Sequence, residues 1–237
     1  IRATTRQDVH AAWRGLVERA PADLFLVGDL TWSRALRFAR RLGLHERRAP
    51  RRLRRTQRRR AGKVRTVRER QDVAQAKLAL GFRTSVRADG PLYPAMVILN
   101  ALYGGSPVGK LFKQVREKAS LCYAIHSSVE RTKGLLTVHA GIDADKYGKA
   151  RRLILQQLDA LRRGDVTAEE AAMARSPLRS GLTSLRASAH GIIDLALESA
   201  VHGLPADLDG LLRRLDAVPL ADVSRAARTV SLDTVYL

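Results

Sequence analysis

Between Leu92 and Ile142 the hydrophobic period of the sequence changes, and this switch constrains the fold more than any other feature. Leu92, Met96, Leu99 and Tyr103 are apolar at spacings of four, three and four, which predicts a helix over about 92–103. Gly104-Gly105-Ser106-Pro107 interrupts it, and a second helix is expected over 107–118, with Val108, Leu111, Phe112 and Val115 on one face. "LCYAIHSSVE" and "GLLTVHAGID" then alternate with period two on either side of Arg131-Thr132-Lys133-Gly134, the pattern of two antiparallel strands. A two-residue turn centred on Thr132-Lys133 pairs positions whose numbers sum to 265 and sets His126 opposite His139, with Cβ atoms about 5 Å apart.

The remaining elements are read from the same signals. Helices are expected around Asp8 to Arg19 and Ser33 to Leu42, and strands at Ala22 to Leu30 and Ala74 to Val86. Tyr147, Ala150, Ile154, Leu158 and Leu161 form an amphipathic helix ended near Gly164, and Thr167 with Glu170 has capping-box spacing for the next helical region. That region runs to about Val201 with Gly181 and Gly191 as weak points, and a shorter helix covers Leu208 to Arg214. The two ends echo each other: Asp8-Val9 leads through a helix to "DLFLV", and Asp222-Val223 leads through Ala226-Ala227 to "DTVYL". This fits two related halves, the tail of one and the whole of the other. Opening on Ile1 rather than Met, the chain is expected to be part of a longer one.

Charge is concentrated at one end. Residues 1–70 hold 21 Lys and Arg against 6 Asp and Glu, a net of +15, out of +20 for all 237 residues. Most of the excess lies in Arg47 to Arg60, with nine arginines and no acid. Such a run can meet nucleic-acid phosphates, but no aromatic within it offers a base to stack on, so it reads as a solvated linker and nucleic acid is not the expected partner. No run approaches the roughly 18 apolar residues of a membrane span. The single cysteine, Cys122, rules out an internal disulfide and suits a reducing, cytoplasmic setting; it is expected as a small buried thiol.

Several chemistries are absent. Gly104 to Lys110 fits the GxxxxGK phosphate-loop pattern, but Leu111 stands where a magnesium-binding Ser or Thr is needed, and a helix precedes the glycines where a strand is needed. Gly104-Gly105 therefore reads as a structural turn, with Ser106 capping the second helix and Pro107 in its first turn. Among His10, His45, His126, His139, His190 and His202 no HxxEH or HxxxH pair occurs, and there is no GxSxG elbow. His126 and His139 offer two imidazoles to a metal with no visible third ligand, so no metal site is expected. Arg116 late in the second helix and Tyr123 in the following strand supply a guanidinium fork and a phenol, both suited to a peptide carbonyl, a carboxylate or an oxyanion. Simple alternation places Tyr123 on one strand face with Leu121 and Ile125, opposite His126.

Asn100 to Ala150 closely resembles the second half of the insulinase-like zinc metallopeptidases, the M16 family, in which a glycine turn precedes a helix ending in Arg-Glu-Lys and a tyrosine follows the arginine by seven residues. Arg116 and Tyr123 have that spacing, and "REKASLCY" is most similar to the bacterial non-catalytic branch associated with aminopentanol modification of elongation factor P. The resemblance implies an α+β fold, a mostly antiparallel sheet with helices packed on one face, in two homologous halves closing on a peptide. It implies residues 1–44 as the tail of the first half, 45–70 as an Arg-rich interdomain linker and 71–237 as the second, inactive-type domain. It further implies peptide or protein substrate binding by Arg116 and Tyr123 and no catalytic residue or cofactor in this chain. Zinc is expected only in a catalytic half or partner subunit, and a dimer is expected. One alternative is a fragment of an active zinc endopeptidase whose HxxEH lies upstream; another is a nucleic-acid-binding protein using Arg47 to Arg60.

Overall fold

The computed structural model describes residues 3–20, 22–43 and 61–237. The expectation for Arg47 to Arg60 lies outside the described residues. The elements are α1 (Arg6–Arg19), α2 (Trp32–Arg41), β1 (Arg65–Val67), β2 (Ala76–Arg83), α3 (Tyr93–Asn100), β3 (Cys122–Glu130), β4 (Leu135–Ile142), α4 (Tyr147–Arg163), α5 (Ala168–Ser184), α6 (Ala189–His202), α7 (Leu208–Asp216), α8 (Leu220–Arg228) and β5 (Ser231–Tyr236). The strands form a five-stranded sheet in the order β1-β5-β2-β4-β3, antiparallel except for the β1–β5 pair. β1 lies within the span assigned to the linker, so the chain joins the sheet soon after the arginine run.

One face of the sheet is dry. Leu78, Leu80 and Phe82 of β2 and Leu136, Val138 and Ile142 of β4 are almost fully buried. They meet Met96 and Leu99 of α3, Ile154 and Leu158 of α4, and Ala226 and Ala227 of α8, all in one cluster. Burying each of the larger side chains stabilises the fold by about 1.5–3 kcal/mol. The opposite face carries small and polar groups, with Ala79 half-buried and His126, Ser128 and His139 exposed. An antiparallel sheet tolerates one such wettable face.

The helix ends follow local chemistry. Thr5 and Asp8 close a capping box on α1, Thr167 and Glu170 close one on α5, and Gly164 ends α4 in the left-handed conformation at φ 87°. Gly181 sits inside α5; the break expected there comes instead at the 3₁₀ turn Leu185–Ala187. Residues 22–30 are not a strand: among the described residues no neighbouring strand pairs with them, and a strand without a ladder partner gains nothing from an extended run.

Candidate functional site

Both helices around the glycine loop are partly wound as π-helix, over Ala101–Gly105 and Phe112–Lys118. Single π turns of this kind recur at functional sites. Arg116 lies on the second, exposed, with its guanidinium carbon 4.5 Å from the centre of the Phe112 ring. Ser120 then turns the chain with a positive φ of 49° and delivers it to β3, the edge strand of the sheet.

Strand β3 opens with a bulge. Cys122 pairs with Ile142 and Ala124 with Gly141, so Tyr123 is the extra residue with no partner of its own. Leu121 and Ile125 stay in the core, whereas Tyr123 is 67% exposed. This corrects the alternation read from sequence, which grouped Tyr123 with Leu121 and Ile125 on one strand face; the inserted residue resets the alternation and separates the exposed phenol from those two core side chains. Burial pushes the Cys122 thiol up, while the Arg116 charge nearby works in the opposite direction. Asp143, 2.7 Å from the Lys146 ammonium, raises that group above its ordinary value, and Tyr123 adds in the same direction. Lys146 thus lies within electrostatic reach of Tyr123, and Arg116 within reach of Cys122, the residue before Tyr123. Lys146 escaped the sequence reading because nothing local ties it to Tyr123.

The glycine loop is tightly packed. A Cβ on Gly104 would lie 2.8 Å from Leu111 Cδ1, and one on Gly105 would lie 2.4 Å from Asn100 Nδ2. The sequence reading of Ser106 and Pro107 is corrected: Ser106 Oγ donates back to the Ala101 carbonyl at 2.9 Å, and Pro107 lies in a turn ahead of the helix that starts at Lys110. Lys110 Nζ contacts both Glu170 oxygens at 3.1 and 3.2 Å. The lysine that the phosphate pattern singled out ties the loop to α5.

His126 and His139 stand opposite each other in the β3–β4 ladder, in the register expected from the turn, although the connection is a four-residue loop, 131–134, rather than a two-residue turn. Their ring centres are 5.2 Å apart with planes inclined by 22°. Burial, and after it the neighbouring His126, hold His139 below the ordinary histidine value. Among the described residues no three His, Cys, Asp or Glu side chains gather as a metal-ligand set. The residues present therefore do not fit the zinc centre of a metallopeptidase.

A family model, the peptidase M16 inactive domain, matches residues 3–178. The chain belongs to the M16 peptidase family. Within it, this M16 domain is 28% identical over 232 residues to the probable inactive metalloprotease YmfF of Bacillus subtilis (strain 168), covering 98% of this chain and 54% of that protein. It is 30% identical over 166 residues to the uncharacterized zinc protease YmxG of the same organism, covering 66% of this chain and 39% of that one. The chain therefore spans about half the length, or less, of these relatives. Among solved structures, a conserved protein from Enterococcus faecalis V583 superposes with a TM-score of 0.83 at 23% identity, over 99% of this chain and 56% of that one. The peptidase M16 inactive domain from Pseudomonas fluorescens superposes at 0.77 and 18% identity, over 100% and 58%. The α+β fold is shared with the M16 inactive domain from Pseudomonas fluorescens, and the chain is an inactive-type M16 domain homologous to zinc-protease-like proteins. No helix among the described residues is long and apolar enough to cross a membrane.

Proposed function

We propose that this M16 domain holds an extended peptide at the corner formed by Arg116 and Tyr123, closing as a clamshell on a zinc-bearing half in the same parent chain or in a partner subunit. One observation carries the reading: the bulge that turns Tyr123 outward at the start of the edge strand, directly after the helix bearing Arg116. An edge strand offers unpaired backbone groups to an added strand, and the guanidinium and phenol suit the carbonyls of the peptide so held. Among the described residues no set of three zinc ligands gathers, so hydrolysis in this reading is assigned to the zinc-bearing half. The similarity to a probable inactive metalloprotease supports an assembly that binds without cleaving. The relatives named zinc proteases support the second reading, an active endopeptidase whose HxxEH lies upstream. Residues 1–44 then belong to the first half, 45–70 link the halves and 71–237 form the second, with a dimer in a cytoplasmic setting and membership of the branch linked to elongation factor P modification completing the proposal. Nucleic-acid binding through Arg47 to Arg60 is the remaining alternative.

The test uses the chain assembled with its zinc-bearing half. Arg116→Ala and Tyr123→Phe are each expected to lower peptide turnover by roughly 10²–10³-fold, the cost of losing one oxyanion donor, with circular dichroism unchanged. In an assembly that does not cleave, both should weaken binding of labelled unstructured peptides. Unchanged turnover and binding in both variants overturns the proposal. A steep salt dependence of duplex DNA binding, abolished by deleting 47–60, favours the nucleic-acid alternative.

A further inference from the structure

The uncovered face of the sheet carries one arrangement that peptide binding leaves unused. His126 and His139 occupy directly opposed ladder positions, both exposed, with ring centres 5.2 Å apart. Ala79 pairs with His139 from β2 and with Tyr236 from β5, and the next outward pair of the β3–β4 ladder is Ala124 with Gly141, which Lys77 pairs with from β2. Ser128 and Thr137, the next outward pair in the other direction, are hydrogen-bonded to each other at 2.9 Å and do not compete for the imidazoles.

We propose that His126 and His139 form a two-imidazole site for a first-row transition dication, zinc or copper(II). Imidazole nitrogen is the ligand that such borderline ions favour. Two metal–nitrogen bonds of about 2.0–2.1 Å span up to about 4 Å between nitrogens, a separation that rings centred 5.2 Å apart reach by tilting edge-on about χ1 and χ2. The rigid ladder fixes both Cβ positions, so chelation costs only side-chain rotation. With two protein ligands, the other coordination positions fall to water, so the ion exchanges with solution and differs from the closed four-ligand site of a structural zinc.

The test titrates copper(II) or zinc alone into the full chain at neutral pH in a buffer that does not chelate. The ring resonances of His126 and His139 should broaden with copper, or shift with zinc, together and ahead of those of His10 and His190, at one ion per chain. His126→Asn and His139→Asn should each weaken binding at least tenfold and nearly as much as the double variant, because a single remaining imidazole cannot chelate. His190→Asn should leave binding unchanged, and circular dichroism should confirm that every variant is folded. Affinity unchanged in the double variant, or singles no weaker than His190→Asn, overturns the proposal and assigns the ion to other side chains.

Discussion

Lys110 and Glu170, sixty residues apart in the chain, meet in an ion pair at 3.1 Å with both side chains more than three-quarters buried. Glu170 also closes the capping box of α5, so a single carboxylate anchors the start of that helix to the glycine loop. Lys110→Ala leaves a mostly buried carboxylate without its cation and is expected to lower stability by about 1–3 kcal/mol in urea denaturation. It should leave ATP affinity, measured by equilibrium dialysis, where it was. Micromolar ATP binding lost in this variant would restore the phosphate-loop reading.

The same pair sets an acid dependence. Burial pushes the Glu170 carboxyl up, but the Thr167 N–H and Lys110 outweigh it and hold the group below its ordinary value. The unfolded chain therefore takes up a proton here before the folded chain does. The stabilisation is present above the ordinary glutamate range and is lost as pH falls below it. Glu170→Gln, which keeps the capping geometry, should flatten the fall in unfolding free energy between about pH 5 and pH 3.

Glycine matters by position. Alanine at Gly105 would put its Cβ 2.9 Å from the Asn100 carbonyl oxygen as well as against the Asn100 amide, and Asn100 in turn accepts from Ser127 of β3 at 2.8 Å. A cost of about 1–3 kcal/mol is expected from this overpacking. Gly181, inside α5 with nothing within 4 Å of a built Cβ, should behave oppositely: Gly181→Ala should gain about 0.5–1 kcal/mol in the same denaturation series. Equal effects at the two positions would contradict the packing described.

Ser120 holds the left-handed backbone, φ 49°, that links the Arg116 helix to the Tyr123 bulge. An L-residue there costs roughly 1–2 kcal/mol relative to its relaxed conformation. Ser120→Gly should raise stability by up to about 1 kcal/mol, and Ser120→Val should lower it by a similar amount. The readout is the chemical denaturation midpoint at constant slope.

Much of the fold is legible in local sequence. The capping box at Thr167, the helix end at Gly164 and the period-two runs flanking 131–134 each act within a few residues, so pattern and position suffice to read them. The β3–β4 register belongs to the same class, because the short connection fixes which residues can face each other; His126 opposite His139 follows from it. Arg116 and Tyr123 were legible as candidate residues by type and spacing, but not their arrangement. The tertiary structure alone decided three matters. Residues 22–30 have a strand's composition but no ladder partner among the described residues, and a strand exists only as a pair. Lys110 meets Glu170 across sixty residues, a distance no local pattern spans. Tyr123 faces outward because β4 pairs with Cys122 and Ala124 and skips the residue between them. That choice belongs to the two strands together, and a single strand's alternation does not contain it.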